Sequence, residues 1–109
     1  MIAAPRRGEL WWCDTDHHGR RPVVVLTRDT AIPRLGRTLV ALCTTTIRGL
    51  DSEVLLEPSD DPVPTLTAVN LDSIQSAHIS DLVERMGRLR YERMQQICAA
   101  LEVAVGCAR

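Results

Sequence analysis

The chain has 109 residues, of which 45% are apolar and 25% are charged, so we expect one globular domain over residues 1–109 rather than a disordered chain. The net charge of −1 excludes a general attraction of the whole molecule to nucleic acid. No apolar run approaches the roughly 18 residues of a membrane span. The first residues also lack a secretory hydrophobic region, so we expect a cytoplasmic protein without a membrane partner.

Short apolar runs separated by turn residues predict a succession of strands, followed by one helix. The strands are expected over residues 9–14, 22–26, 38–45, 53–56, 66–71 and 85–89, with a loop over 28–37 and one helical turn over 80–83. From Tyr91 onward apolar residues recur every three or four positions, which predicts an amphipathic helix that ends at Gly106. This order of elements predicts a mainly β (α+β) fold, a small antiparallel barrel with a C-terminal helix.

Two adjacent tryptophans lie in the first predicted strand. Because side chains alternate along a strand, we expect Leu10 and Trp12 to face the core and Trp11 to face a partner or a ligand groove. Aromatic residues make up only 3% of the chain, too few for the stacking platform of an RNA-recognition motif. Any nucleic-acid contact must therefore depend on phosphate and polar groups.

Charge is distributed unevenly along the chain. Residues 1–48 carry +4, residues 49–84 carry −8 and residues 85–109 carry +3, and all thirteen cations are Arg. A coding bias towards Arg explains the absence of Lys equally well. Alternatively, the two basic segments meet in the fold and form an anion-binding face, since a guanidinium binds phosphate through two parallel hydrogen bonds.

A polar turn before the second predicted strand contains His17, His18, Arg20 and Arg21. RNA cleavage without metal needs a base for the 2′-OH proton, positive charge for the phosphorane and an acid for the 5′ oxygen. Arg21 suits the charge role, and imidazoles that titrate near neutral pH suit the proton transfers. The alternative is a solvated turn without function.

A run of threonines, Thr44 to Thr46, ends the third predicted strand. Its hydroxyls could donate to a phosphate oxygen if the neighbouring strand brings Arg21 alongside, although β-branched residues also favour strands without any function. The nearby Cys13, Asp14 and His17 match no zinc-ligand spacing, so we expect no metal and no cofactor. With no CxxC pair, the four cysteines are expected to be reduced thiols.

Taken in order, several segments resemble the MazF/PemK family of endoribonuclease toxins from type II toxin–antitoxin systems. They are residues 7–12, 21–26, 42–46 with 48–49, 69–74, 86–89 and the closing helix, so that the resemblance covers about residues 6–107. It implies an SH3-like barrel of the CcdB/PemK type and a homodimer. It also implies metal-independent, sequence-selective cleavage of single-stranded RNA, leaving 2′,3′-cyclic phosphate and 5′-OH ends, and a cognate antitoxin whose acidic C-terminal segment occupies the RNA groove.

Carried over residue by residue, the catalytic arginine of the family's Arg-Pro motif falls on Arg21 and the threonine that ends its third strand falls on Thr44. Arg titrates too high for easy proton transfer, so we expect Arg21 to stabilise the phosphorane and Thr44 to hold a non-bridging oxygen or the 2′-OH. RNA contacts are expected from Trp11, His17, His18, Arg20, Arg48 and Ser73.

The sequence departs from the family at three places, of which one is Thr67-Ala68-Val69, where the family has an Asp-Ser-Val segment. The first loop borders the RNA site in the family. The first loop is short and has His17 and His18 instead of a Glu-Gln stretch, and Ser73 replaces the usual glutamine, so the family's base preference does not carry over. Two alternatives share the barrel: a non-enzymatic CcdB-like toxin that inhibits DNA gyrase, and a catalytically inactive barrel that only binds antitoxin.

Overall fold

Six antiparallel strands form a single curled sheet that a C-terminal helix covers on one side. The computed structural model describes residues 4–17 and 19–107. The strands are β1 (Glu9–Thr15), β2 (Gly19–Val25), β3 (Arg37–Thr44), β4 (Glu53–Leu56), β5 (Thr67–His78) and β6 (Leu82–Arg88). The helices are the short α1 (Ile32–Leu35), a 3₁₀ turn at Ile79–Asp81 and α2 (Tyr91–Val105). No helix in these two described ranges has the length and apolarity needed to cross a membrane.

The strand order is β4-β5-β3-β2-β1-β6, with every neighbouring pair antiparallel. Curvature comes from an irregularity in β5: Ala41 lies opposite Ile74, but the next residue, Leu42, lies opposite Asn70. The three intervening residues bulge out of the ladder, and bulges bend and twist a sheet. Since β4 and β6 do not pair with each other in the described residues, the expected barrel is a half-barrel that stays open.

Two apolar clusters lie on opposite faces of this sheet. Val24 packs with Leu56 and Ile97 on the face that α2 covers, whereas Val23 and Val25 pack on the other face. All three valines are completely buried, as in a strand covered on both sides. The candidate site lies at the N-terminal end of β2, beyond the valines that pack in these two clusters.

The structure extends several predicted elements. β4 has the predicted bounds, and α2 ends as predicted at Gly106, whose φ of +71° is the left-handed conformation that glycine supplies at a helix end. β5 continues to His78, seven residues beyond its predicted end. The bulge places Asp72 at the surface, and the strand can therefore contain polar residues. The predicted 28–37 loop contains α1, where Ile32 is buried.

Candidate functional site

Arg21 and Thr44 come together where the ladder between β2 and β3 ends. Val23 lies opposite Leu42, so continuing the same register by two residues brings Arg21 level with Thr44. Pro22 has no N–H group and cannot extend the ladder, which leaves this end of the strand pair open. The Nη2 atom of Arg21 donates to the carbonyl oxygen of Cys43 at 3.1 Å, and this contact holds the guanidinium against the end of β3.

Thr44 is half-buried, and its hydroxyl oxygen has one defined partner. The backbone N–H of Thr46 donates to Oγ1 of Thr44 at 3.1 Å. A hydroxyl that accepts a hydrogen bond still has its own hydrogen to donate. Thr44 can therefore present a donor to an oxygen bound beside Arg21, while the turn that follows keeps its side chain in place.

Arg21, Thr44 and Thr45 line two adjoining cavities. The apolar cavity has a volume of about 240 Å³ and is also lined by Trp12, Pro22, Cys43, Val63, Pro64, Thr65, Thr67 and Met86. The polar cavity has a volume of about 460 Å³ and is also lined by Leu42, Thr46, Arg48, Asn70 and Ser73. The two cavities therefore meet at these three residues: the apolar cavity suits a flat apolar group, and the polar cavity suits charged or polar groups.

The polar cavity is built on the bulge of β5. Asn70, which is buried, accepts a hydrogen bond from the backbone N–H of Asp72 at 2.9 Å and donates through Nδ2 to Oγ of Ser73 at 3.1 Å. Within the described residues the guanidinium of Arg48 has no hydrogen bond or ion pair. Arg48 and the remaining donors of Arg21 are therefore available to an anion. Ser73 and Arg48 were expected at an RNA site from the sequence; Asn70 was missed, although it lies in one of the segments that carried the resemblance.

The expected roles of the two tryptophans are reversed. Trp11 is only 5% exposed and packs in the second apolar cluster, where its Nε1 donates to Oε1 of Glu9 at 3.0 Å. Trp11 therefore does not line the cavities that contain Arg21, and its expected contact with RNA has no support at this site. Alternation along β1 was predicted correctly, but both faces of this strand are covered, and Trp12 is the residue that reaches the apolar cavity. The continuous apolar run from Leu10 to Cys13 is the signal in the sequence that both faces of β1 are covered.

Of the described residues of the polar turn, Arg21 lines the cavities and the others do not. His17 is exposed at the tip of the β1–β2 hairpin and lines neither cavity, and His18 lies outside the described residues. Arg20 is paired with Asp14, with 2.8 Å between Nε and Oδ1, and this hydrogen bond raises the pKa of Arg20. The structure therefore separates Arg21 from His17 and Arg20, with which the sequence had grouped it.

The two basic segments do not meet at the site, so the interpretation in which they form one anion-binding face is not supported there. Among the described residues that line the cavities, the cations are Arg21 and Arg48, both from the first segment. Arg85 and Arg93 from the last segment are engaged in ion pairs with Glu9 and Asp61. Across residues 4–17 and 19–107, no three His, Cys, Asp or Glu side chains are grouped so that they could hold a metal ion.

Cys43 lies beside Arg21 but cannot act as a nucleophile. Burial raises the pKa of the Cys43 thiol to about 12, although the positive charge of Arg21 opposes this rise. Because the thiolate is the reactive form of cysteine, the thiol stays protonated and inert at neutral pH. The polar chemistry available at the junction of the cavities is therefore that of one guanidinium and the threonine hydroxyls.

Comparison with known proteins gives consistent matches over nearly the whole chain. Residues 6–105 match the model of a family described as PemK-like, MazF-like toxin of type II toxin–antitoxin system. The probable endoribonuclease MazF5 of Mycobacterium tuberculosis is 64% identical over 109 residues, which cover all of both chains. The probable endoribonuclease MazF2 of the same species is 40% identical over 102 residues, 94% of this chain and 99% of the relative. A solved mycobacterial endoribonuclease in complex with its cognate antitoxin superposes with a TM-score of 0.85 at 27% identity, over 94% of this chain and 96% of that one.

Proposed function

The chain belongs to the family of PemK-like, MazF-like toxins of type II toxin–antitoxin systems. We propose that it is an endoribonuclease and that it cleaves single-stranded RNA where the apolar and polar cavities meet. The observation that carries this proposal is the position of Arg21. Its guanidinium is held by the Cys43 carbonyl at the end of β3, and Arg21 and Thr44 line both cavities. A backbone phosphate bound there would have a base on one side and further phosphates on the other.

The proposed reaction is attack of the 2′ oxygen on the adjacent phosphorus. The bond from the 2′ oxygen to phosphorus forms as the bond to the 5′ oxygen breaks. The 2′-OH loses a proton and the 5′ oxygen gains one, which leaves a 2′,3′-cyclic phosphate and a 5′-OH. Negative charge grows on the non-bridging oxygens in the transition state, where donors that are already in position contribute most.

Arg21 and Thr44 supply those donors in this proposal. One Nη2 hydrogen bond ties Arg21 to the carbonyl of Cys43, and the other donors of the guanidinium remain for the phosphorane. The Thr44 hydroxyl donates to a second oxygen. None of the described residues that line the cavities is His, Asp or Glu, which supports charge stabilisation rather than side-chain proton transfer as the main contribution. His17 and Arg20 have no part in this step.

RNA binding extends from the scissile phosphate in both directions. Trp12 offers a flat apolar surface to a base in the apolar cavity, and stacking on an aromatic side chain tolerates any base. Arg48 and the amide of Asn70 face the polar cavity, where a neighbouring phosphate or base edge would lie. Trp12 thus takes the place that the sequence gave to Trp11.

We propose a cytoplasmic homodimer that needs no metal or cofactor and is neutralised by an antitoxin. Arg21 and Arg48 give the polar cavity a positive charge, so the acidic C-terminal segment of an antitoxin would compete there with RNA. The solved relative in complex with its cognate antitoxin supports such a partner. Gyrase inhibition is not favoured, because the relatives that match are named endoribonucleases.

Incubation of the purified protein with 5′-labelled RNA, with and without EDTA, tests the proposal. We expect cleavage at a preferred sequence at equal rates in both samples. The upstream fragments should resist ligation until the cyclic phosphate is removed, and the downstream fragments should accept a phosphate at their free 5′-OH. Intact RNA in both samples would contradict the proposal and favour a barrel that only binds antitoxin. Cleavage that EDTA abolishes would contradict the metal-free mechanism.

A further inference from the structure

We propose that Glu53 is a positioning residue for RNA cleavage: it fixes the loop between β3 and β4 and thereby holds Arg48 at the polar cavity. The inference rests on the proposed function, because Arg48 has a purpose there only if RNA binds. Glu53 lines neither the apolar nor the polar cavity, so any effect on cleavage must pass through another residue.

A single carboxylate organises this loop. Oε1 of Glu53 accepts hydrogen bonds from the backbone N–H groups of Arg48 at 3.2 Å, Gly49 at 2.9 Å and Leu50 at 3.3 Å, and its Oε2 accepts from Arg48 at 3.3 Å. Three consecutive amides can converge on one anion only if the backbone turns sharply. Gly49 allows this turn, because its φ of +72° lies in the left-handed region that other residues disfavour.

The loop closes onto the start of β4 through its backbone as well. The N–H of Glu53 donates to the carbonyl oxygen of Leu50 at 3.0 Å, so the carboxylate and the amide of the same residue bind the same turn. The backbone of Arg48 is therefore fixed at both its own amide and the two that follow. Other than Glu53, the described loop from Thr45 to Ser52 has few anchors, since residues 45–51 are all exposed.

Fixing the Arg48 backbone matters because its side chain has no anchor of its own. Arg48 lines the polar cavity together with Arg21 and Thr44, and within the described chain its guanidinium has no hydrogen bond or ion pair. A long side chain on a mobile loop would spend little time at the cavity. Without the carboxylate, we expect Arg48 to lose its contribution to RNA binding while remaining charged.

The rest of β4 does not depend on this carboxylate. Backbone pairing with β5 runs from Glu53 opposite Asn70 to Leu56 opposite Thr67, and Val54 and Leu56 are buried in the first apolar cluster. Variants of Glu53 should therefore fold. Asp51 offers a matched control, because it is an exposed carboxylate in the same loop and its loss changes the net charge equally.

The test is a double-mutant cycle on RNA cleavage, with kcat and KM measured over a range of salt concentrations. Glu53→Ala and Arg48→Ala are each expected to raise KM about tenfold with kcat within about threefold of the parent value. The double variant should resemble either single variant, because both substitutions remove the same contact of Arg48 with RNA. Each single variant should also reduce the slope of log affinity against log salt concentration by about the amount that one phosphate contact contributes. Glu53→Gln, which keeps an acceptor oxygen, should restore part of the loss, and Asp51→Ala should leave KM unchanged.

Three results would overturn the inference: an unchanged KM for Glu53→Ala, losses that add up in the double variant, or an equal effect of Asp51→Ala, which would reveal a general charge effect. Equal thermal melting of all variants by circular dichroism shows that the loop and not the fold has changed. Cleavage by the parent protein distinguishes the two proposals, since RNA left intact by the parent overturns the proposed function, and the inference with it.

Discussion

At the junction of the two cavities, Arg21 combines a fixed position with unused hydrogen-bond donors. One contact to the Cys43 carbonyl restrains the guanidinium, and Pro22 prevents the strand pair from closing over it. A single restraint of this kind reduces the entropy lost when phosphate binds and leaves the planar fork exposed to it. The same arrangement explains why Cys43 stays neutral next to a cation: its side chain is fully buried whereas Arg21 is half-exposed.

Glu9 shows the opposite use of a charged side chain, as a structural anchor. Its carboxylate is 8% exposed and accepts hydrogen bonds from Trp11 Nε1 at 3.0 Å, the Arg6 amide at 2.8 Å and Arg85 Nε at 2.8 Å. Burial alone would raise the pKa of Glu9. The hydrogen bonds from Trp11, Arg85 and the Arg6 backbone, together with the charge of Arg85, outweigh burial and lower it below its ordinary value of 4.5.

The lowered pKa of Glu9 gives a pH dependence of stability with a definite sign. The unfolded chain binds a proton at Glu9 before the folded protein does, so the carboxylate stabilises the fold above about pH 4.5 and loses this effect as the pH falls through the lowered value. We expect Glu9→Gln to lower the free energy of unfolding at pH 6 and to differ less from the parent protein at pH 3. Urea unfolding at several pH values measures both. A difference that stays constant with pH would contradict this, and Glu102→Gln, an exposed carboxylate of α2, is the control.

The tryptophans show what sequence alone can establish about single residues. Alternation correctly separates Trp11 from Trp12. Which of them meets a ligand depends on what covers each face, and that is decided by α1, β3 and β6, which lie elsewhere in the chain. Arg21 and Thr44 were predicted together because a motif fixes their places at two strand ends. The positions of Asn70 and Met86 at the cavities were not predicted, since they arise from the bulge of β5 and from the pairing of β6.

At the scale of elements, the loop between β4 and β5 forms one wall of the apolar cavity through Val63, Pro64 and Thr65. Asp61 anchors this loop to α2. Its carboxylate is fully buried and accepts from Arg93 Nε at 3.2 Å and Nη2 at 2.9 Å, and its Oδ2 also accepts from the Glu57 amide at 2.8 Å. The pair thus connects the helix to a wall of the site.

Removing one partner of this buried pair should be costly. Arg93→Met leaves the Asp61 carboxylate buried without its cation, and such changes cost about 3–5 kcal/mol of folding free energy. Arg90→Met breaks only an exposed pair with Glu92, at 3.8 Å, and should change stability by less than about 1 kcal/mol. Urea unfolding of the two variants measures the contrast. Equal effects of Arg93→Met and Arg90→Met would contradict the role assigned to Asp61.

The Gly87 position completes the same wall from β6. A side-chain Cβ at Gly87 would lie 2.4 Å from Cβ of Pro62, so only glycine lets the loop approach the strand this closely.

Sequence patterns predicted β4 and α2 well, because their apolar spacing is regular and glycine or proline residues mark their ends. They underestimated β5, since its polar stretch is tolerated only because the bulge carries it out of the ladder.

For the whole molecule, the charge pattern along the chain does not translate into one basic face. Three described cations of the C-terminal segment, Arg85, Arg90 and Arg93, form ion pairs with acidic residues, whereas Arg21 and Arg48 remain available at the cavities. Two cations at the cavities suit a nuclease that selects short single-stranded sites rather than one that coats RNA. It also leaves a small target for an acidic antitoxin segment. Which cations are unpaired follows from tertiary contacts that segment charges do not contain.

The most direct test of the account compares Arg21→Ala with Arg20→Ala in single-turnover cleavage of a labelled RNA oligonucleotide that carries the preferred site. Both variants remove one guanidinium from β2, but Arg20 is paired with Asp14 away from the cavities. We expect Arg21→Ala to lose at least 100-fold in rate, as for the removal of a fixed transition-state donor, with an unchanged circular dichroism spectrum. Arg20→Ala should stay within about threefold of the parent protein. Cleavage by Arg21→Ala at the parental rate would contradict the account.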